Sequence, residues 1–556
     1  MSSPITGGRM VAEILQAHGV DHVFFMDAIL RRALVEMENL NIRRILAHSE
    51  IAAAYMADGY SRVAGKPAVC MAQSVGAANL AAGLQDAFLA QTAIIAMTGR
   101  QPAAMQYRNA YQEIPHEPLF RSTTKQSMRV DHIEQLPHVL HQAFRDAVTG
   151  RPGPVHIDIA GHTGDAIGAA VADGYLPAGQ PFSTLPAFRP PAEARLIDAA
   201  ARLIARAERP VIVADQGVCI SRAEQALRRF AEDASIPVVT SLDAKAVLPE
   251  AHPLNGGVAG SYSRACANQI VNAADLVIFV GSIVGDHISH NWTLPGQDVA
   301  TIQIDIDPAQ LGRNYPGALG LPGDARTVLE QLAQACKPIG RPAWLSAVRG
   351  FVQEWNQATA EARASDAEPI RPERLCAELS EVLPLGAILV ADTGYSSQWS
   401  GTYVQLRHEG QRYLRAAGSL GWGFPASMGA KFAAPDATVV CFTGDGGFMY
   451  HLPELETALR WGLNTITIVN NNHCLAQGTR SIMSAYEGSG GNREEIYHYR
   501  PMNFAAIAQA MGAVGIRVTH AAEFAAAFAR ARESDLPVVI DVVTDPQALA
   551  PLPWTP

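Results

Sequence analysis

Asp445 stands between two glycines in Gly444-Asp-Gly446, and 27 residues later Asn472 closes a run of three asparagines. One carboxylate and one amide oxygen are hard ligands of the kind a small divalent cation such as Mg²⁺ prefers. An apolar stretch over 438–443 precedes the first group and another over 465–469 precedes the second, with a helical pattern at about 452–461 between them. Two parallel strands joined by such a crossover put both strand ends side by side at one sheet edge. The glycines let backbone N–H groups approach a phosphate at the start of the following helix, where the dipole favours an anion. These residues predict a metal–diphosphate site; the plain alternative is a glycine turn beside an unrelated asparagine loop.

The elements that must position such a site recur along the whole chain. Its 556 residues exceed one core, and three domains of about 170–190 residues are expected. A hydrophobic content of 48% with 17% charged residues is that of an ordinary globular protein. The net charge of −10, without a basic cluster, argues against a nucleic-acid partner. Seven scattered cysteines with no CxxC pair point to a reducing compartment. There is neither a basic-then-apolar leader nor an 18-residue apolar span, so a cytoplasmic location and no membrane partner are expected. Strands alternate with helices throughout, which predicts an α/β fold of three parallel-sheet domains. The first domain covers 1–170, with a helix at 8–19 and strands at 23–26 and 155–159. A Gly-, Ala- and Pro-rich linker spans 171–191. A middle Rossmann-like domain covers 192–340, with a helix at 192–207 and strands at 210–214, 237–240, 276–280 and 300–306. A second linker covers 341–370, and the last domain covers 371–556, opening with a helix at 372–382 and a strand at 387–391.

The Gly-Asp-Gly and Asn-Asn groups at this spacing resemble the signature of thiamine diphosphate (ThDP) enzymes. A second match lies near the N-terminus: residues 48–62 (HSEIAAAYMADGYSR) resemble the helix that carries the family's catalytic glutamate. It continues through Gly65-Lys-Pro67, Asn79-Leu-Ala-Ala-Gly-Leu-Gln-Asp-Ala87, Thr98-Gly99, Tyr111-Gln-Glu113, Thr124-Lys125 and the run from Arg151 to Asp158. That order is the order of acetolactate synthase-like enzymes, and the resemblance covers nearly the whole chain. It implies pyrimidine-binding, middle and diphosphate-binding domains. It also implies ThDP and Mg²⁺ as cofactors, and a homodimer or homotetramer with active sites between subunits.

Carried over residue by residue, the resemblance makes Asp445, Asn472 and the main-chain carbonyl of Cys474 the Mg²⁺ ligands. Glu50 takes the place of the glutamate that hydrogen-bonds the aminopyrimidine ring. Gly418-Ser-Leu-Gly421 resembles the segment beneath the bent cofactor, with Ser419 beside it and Leu420 as the apolar wedge. Thr393, Gly394, Tyr395 and Ser396 match the loop that contacts the diphosphate opposite Gly444, Asp445, Gly446 and Gly447. Gln112 aligns with a family glutamine near the reacting carbon. His116, three residues past Glu113, is a candidate substrate-side proton carrier, since its ordinary pKa suits the task. His473 and Asp27 are further candidates outside the matching motifs.

Elsewhere the sequence departs from the family's subgroups. Phe25-Met-Asp-Ala28 replaces the expected Gly-x-Pro-Gly loop, and Gln73-Ser-Val-Gly76 replaces Ser-Gly-Pro-Gly. Cys474-Leu-Ala-Gln-Gly-Thr-Arg480 lacks the tryptophan and methionine of acetolactate synthases. Ser282-Ile-Val-Gly-Asp-His287 lacks the arginine that helps recognise a second oxo acid. Gln112-Glu113 and Gly478 replace the paired histidines and late glutamate of pyruvate decarboxylases. The middle-domain strand end, Val213-Ala-Asp-Gln-Gly-Val-Cys219, has one glycine, so FAD is possible but not favoured, and ADP or a CoA ligand is required by no residue. The expected activity is that of a ThDP- and Mg²⁺-dependent lyase or carboligase acting on a 2-oxo acid or related carbonyl. A non-oxidative decarboxylase of benzoylformate decarboxylase type is the alternative. An FAD-dependent oxidase and a non-catalytic ThDP-binding protein follow.

Overall fold

A computed structural model describes residues 4–27, 30–161, 167, 169–172 and 182–556. Ala28, at the end of the departing loop, and 173–181 of the expected first linker lie outside the described residues. The chain is α/β with three six-stranded sheets, and every strand pair within them is parallel. This is the expected fold class. Parallel strands are buried on both faces and therefore read as apolar runs. Ile94–Arg100, Val155–Ala160, Pro210–Ala214 and Leu276–Val280 are buried along their entire length.

By compactness the chain forms two units. The first contains residues 1–187 together with 417–436 and 451–463. Its sheet runs Arg43–Leu46, His22–Phe25, Ala68–Gln73, Ile94–Arg100, Val155–Ala160, Gln126–Val130 in spatial order. The second unit holds two sheets. One runs Asn255–Val258, Val238–Thr240, Pro210–Ala214, Leu276–Val280, Ala300–Asp305, Leu319–Pro322, which is strand order 3-2-1-4-5-6. The other runs Arg412–Arg415, Ile388–Ala391, Val439–Gly444, Ile466–Asn471, Val538–Val543, Val514–Val518. This last order, 2-1-3-4-6-5, is the same as that of the sheet in the first unit.

The stretch expected as a second linker, 341–370, carries a 22-residue helix, Pro342–Arg363. Trp344, Val348 and Trp355 fall on one helical face and are buried, and Trp344 Nε1 donates to Pro210 O at 2.8 Å. Pro342 at the first helical position pre-sets the backbone for that start. Pro338-Ile-Gly-Arg-Pro342, just before it, has the composition of a loop, but the apolar periodicity beyond it decided the outcome.

In the first unit the Glu50–Ala64 and Gly423–Ala433 helices are apolar almost all round and buried. Such helices need helical neighbours on most sides. They pack against each other with almost nothing between their backbones. A Cβ added at Gly59 would overlap Ala426 O, and one added at Gly429 would overlap Met56 O. The Gly76–Leu89 helix approaches the Glu50–Ala64 helix in the same way, since a Cβ at Gly83 would lie 2.7 Å from Ala54 Cβ. Because the atoms in the way are backbone, Gly59→Ala and Gly429→Ala should each cost about 3 kcal/mol or more. Urea unfolding of the purified variants reads this as a lower midpoint; an unchanged midpoint contradicts the close approach.

Candidate functional site

In open parallel sheets, ligands sit beyond the carboxyl ends of strands at the point where strand order reverses. In the 2-1-3-4-6-5 sheet of the second unit that point lies between Ile388–Ala391 and Val439–Gly444. Ala391 pairs with Phe442 and Gly444 pairs with Asn470, so three neighbouring strands end together. Beyond them come residues 392–396, 444–447 and 472–474. The expected diphosphate and metal residues are thereby brought into one place.

Asp445 opens the Asp445–Tyr450 helix and is 4% exposed. Its Oδ1 accepts the Gly446 N–H at 2.8 Å, and the amides of His473 and Cys474 also hydrogen-bond the carboxylate. Burial pushes its pKa up to about 6, against the pull of those amides. A buried carboxylate with no cationic side chain paired to it among the described residues fits a bound cation. Asn472 is 6% exposed and its Oδ1 accepts the Cys474 N–H at 3.2 Å. The 473–475 segment pairs with 497–499, Leu475 N–H donating to Tyr497 O and Tyr499 N–H to His473 O. The carbonyl of Cys474 takes no part in that pairing. The set therefore offers one carboxylate, one amide and one carbonyl oxygen, which fits Mg²⁺. Among the described residues no group of three His, Cys, Asp or Glu side chains is placed to hold a metal.

The cradle beside them is glycine for steric reasons. A Cβ at Gly447 would lie 2.7 Å from Asp392 Oδ2 and 2.8 Å from Thr443 Oγ1. Gly394 has φ +70° and ψ −143°, a conformation open only to glycine, and it caps the Tyr395–Tyr403 helix. That helix start offers the N–H groups of Tyr395 and Ser396, while Thr393 N–H is already taken by Asp392 Oδ1 at 2.7 Å. Ser396 Oγ stands 3.6 Å from where a Gly444 Cβ would be, so the two loops face each other. Asp392, which sequence reasoning passed over, is 0% exposed and also accepts from Thr443 Oγ1 at 2.9 Å. It ties the 392–396 loop to the strand leading into Asp445. Its only signal was its place at the start of Asp392-Thr-Gly394.

Glu50 lies in the first unit, in the first turn of its helix after the N-cap Ser49, whose Oγ accepts Ala52 N–H at 3.1 Å. The start of the Gly76–Leu89 helix borders its carboxylate. Asn79 Nδ2 donates to Glu50 Oε2 at 3.1 Å, and a Cβ at Gly76 would overlap Oε1. The Gln73-Ser-Val-Gly76 turn that departs from the family pattern thus ends in the glycine that Glu50 needs. Ser419 and Leu420, also in the first unit, are half-buried just before the Gly423–Ala433 helix.

The remaining candidates are less clearly aimed at chemistry. Gln112 has φ +58°, and its buried Oε1 has no hydrogen-bond partner among the described residues. His116 is 3% exposed, with Nδ1 at 2.9 Å from Asp158 Oδ1 and 3.3 Å from Thr98 Oγ1. Thr98 Oγ1 lies 2.6 Å from His156 Nε2, and the His156 ring stacks on Phe120. His116 is thus part of an interior polar network. Asp27 is exposed and accepts from Arg31 Nη2 at 3.1 Å; His473 has φ +60°, and burial lowers its pKa.

The fold and these glycine-lined loops are of the kind that hold a diphosphate, and sequence comparison gives the family. The chain belongs to the thiamine diphosphate-dependent enzymes of the acetolactate synthase-like superfamily. Residues 5–119 match the thiamine pyrophosphate enzyme N-terminal TPP binding domain, 197–332 the central domain, and 392–542 the C-terminal TPP binding domain. The chain is 32% identical to a probable acetolactate synthase large subunit of Methanocaldococcus jannaschii, across 98% of this chain and 93% of that protein. It is 33% identical to the acetolactate synthase isozyme 1 large subunit of Escherichia coli, across 84% of this chain and 82% of that protein. The putative thiamine pyrophosphate-containing protein YdaP of Bacillus subtilis is 28% identical, across 97% and 91%. The chain is an enzyme, a ThDP-dependent carboligase or lyase of carbon–carbon bonds at a carbonyl. The relatives do not favour a benzoylformate decarboxylase-type reading.

Asp445→Ala should weaken ThDP binding by at least about tenfold, with only partial recovery at high Mg²⁺. Isothermal calorimetry with ThDP at two Mg²⁺ concentrations measures this; a wild-type affinity would reduce the 444–446 segment to a turn.

Proposed function

We propose that the chain joins or splits 2-oxo acids or related carbonyls using ThDP and Mg²⁺, with ligation ahead of simple decarboxylation. The convergence of Asp445, Asn472 and the Cys474 carbonyl beside glycines 394 and 447 carries this reading. Relatives named acetolactate synthases favour ligation. When bound, ThDP supplies an acidic carbon that adds to a carbonyl and accommodates the electron pair released as a neighbouring bond breaks.

This chain's residues do the rest. Asp445, Asn472 and the Cys474 carbonyl would hold Mg²⁺, which would neutralise the diphosphate, and the amides of Tyr395, Ser396 and Gly447 would meet its oxygens. Glu50 hydrogen-bonds the pyrimidine ring and holds or releases a proton at its carboxylate; Asn79 and Gly76 fix where that carboxylate stands. Leu420 would pack against the cofactor and keep water from its reacting side. Gln112, whose amide oxygen has no partner within the described chain, is assigned to the substrate. His116, held by Asp158, is the weaker substrate-side candidate.

In the middle domain the turn after the first strand holds Asp215, whose Oδ1 accepts Gln216 N–H at 2.8 Å and whose Oδ2 accepts Ser282 Oγ–H at 2.7 Å. A Cβ at Gly217 would lie 2.5 Å from Gly281 Cα. A half-buried carboxylate and a tight backbone contact stand where a dinucleotide's pyrophosphate would lie, so no flavin is assigned to this domain. We place the protein in the cytoplasm. All seven cysteines are free, and among the described residues no helix is long and apolar enough to cross a membrane.

Glu50 and Asp445 are assigned to one site formed by two copies of the chain, in a homodimer or homotetramer. Apolar residues left exposed support this: Met449, Tyr450, Ile496 and Tyr499 in the second unit, and Tyr107 and Tyr111 in the first. Glu50→Gln should leave ThDP affinity largely intact. It should slow hydrogen–deuterium exchange at C2 of the bound cofactor by at least about a hundredfold, read by NMR. An unchanged exchange rate removes Glu50 from the reaction. Mixing Glu50→Gln and Asp445→Ala chains should restore activity, because one site of each mixed dimer inherits neither lesion. Heterodimers that remain inactive rule out the shared site.

A further inference from the structure

Two carboxylates have no part in the reading above: Asp86, in the Gly76–Leu89 helix, and Glu454, which opens the Glu454–Arg460 helix. Both belong to the first unit, and both are buried, at 0% and 1% exposure. Both accept backbone N–H groups far away in sequence. Asp86 Oδ1 accepts from Ala417 at 2.9 Å, while its Oδ2 accepts from Gly418 at 3.1 Å and from Ser419 at 2.9 Å. Leu420 comes next in the chain. Glu454 Oε1 accepts from His48 N–H at 2.8 Å, and the Ser49 amide also bonds this carboxylate. Glu50 comes next in the chain. Thr457 Oγ1 donates to Glu454 Oε2 at 2.8 Å.

The two arrangements correspond. Glu50 precedes Gly59 by nine residues, and Leu420 precedes Gly429 by nine; these are the two glycines of the helix crossing, each set against the opposite helix's carbonyl. Each functional residue follows the second strand of a sheet of order 2-1-3-4-6-5, and each carboxylate lies in the crossover after the third strand of such a sheet. Glu50 and Leu420 are therefore equivalent positions of a repeated design, and the carboxylate of each repeat holds the loop of the other.

Asp86 is further tied to charge. Arg62 binds Asp58 through Nε at 2.7 Å and Nη2 at 2.8 Å, and its Nη2 lies 3.5 Å from Asp86 Oδ1. Trp422 Nε1 donates to Asp58 Oδ2 at 2.8 Å, with the Arg62 guanidinium 4.7 Å from its ring centroid. Two buried carboxylates share one guanidinium, and the amides of 417–419 and the indole N–H donate to them as well. Burial and the Asp58 charge raise the Asp86 pKa, while Arg62 and the amides oppose the rise.

We propose that Asp86 and Glu454 are reciprocal positioning residues: they fix the backbone immediately before Leu420 and Glu50, so that the wedge and the pyrimidine-side carboxylate are in place before the cofactor arrives. What they position rests on the roles given above to Glu50 and Leu420; the holding itself does not. Preorganisation of this kind removes an ordering cost from cofactor binding. A loop of Ala, Gly and Ser has no large side chain to anchor it, so its amides are the handle.

Amide hydrogen exchange of the cofactor-free protein, read by mass spectrometry, tests the holding without any assay of activity. Asp86→Asn should raise exchange at 417–419 by at least about tenfold, the loss expected for hydrogen bonds to a charged acceptor, while 48–49 keeps its protection. Glu454→Gln should do the converse. In variants then saturated with ThDP and Mg²⁺, C2 exchange should fall at least about tenfold, although Glu50 and Leu420 are intact. If Asp86→Asn does not fold, Glu454→Gln alone decides the matter. Wild-type protection of a loop in its own variant, loss spread evenly over both loops, or unchanged C2 exchange in a saturated variant overturns the assignment. If C2 exchange fails to depend on Glu50 itself, the functional reading has failed; if it depends on Glu50 while the loops ignore Asp86 and Glu454, only the positioning has failed.

Discussion

Two helices of the first unit meet backbone to backbone, and that contact sets the position of much around it. Gly59 and Gly429 admit the carbonyls of Ala426 and Met56 into space where any side chain would stand. Close packing of this type has little slack, because carbonyl groups cannot rotate away as side chains do. The helix starts, at Glu50 and just after Leu420, are thereby fixed in relation to each other. Asp86 and Glu454 can reach the opposite loops only because the helices are so close.

Electrostatics follows from the same burial. Removing Asp86, Asp58, Glu454 and Asp445 from water would be costly unless each found partners. The first three find them within the protein, in backbone amides, an indole, a hydroxyl and one guanidinium. Asp445 finds only amides, and burial pushes its pKa up to about 6.

Site location follows from topology. Two sheets with order 2-1-3-4-6-5 each place a turn at a switch point, where Gly76 and Glu50 gather in one case and Asp392, Gly394 and Asp445 in the other. Glycine appears at these turns because neighbouring carboxylates come closer than a Cβ allows. The middle sheet, with order 3-2-1-4-5-6, has a switch point of its own, but Asp215 stands there.

The sequence alone determined the α/β class, most strand and helix positions, and the convergence of Asp445 with Asn472–Cys474, because period, glycine placement and strand–crossover–strand logic act over tens of residues. Resemblance to a known family added Glu50 and Leu420. Tertiary structure alone decided the rest. It turned 342–363 into a helix by covering Trp344, Val348 and Trp355. It put His116 into an interior network with Asp158, Thr98 and His156. It revealed Asp392 behind the glycine cradle and Asn79 beside Glu50. Asp86 meets Ala417 across 331 residues of chain, and His48 meets Glu454 across 406. No local pattern encodes such a pairing: a carboxylate reads the same on a solvated helix face as under another repeat's backbone. Only the packing that strips its water away decides which of the two it is.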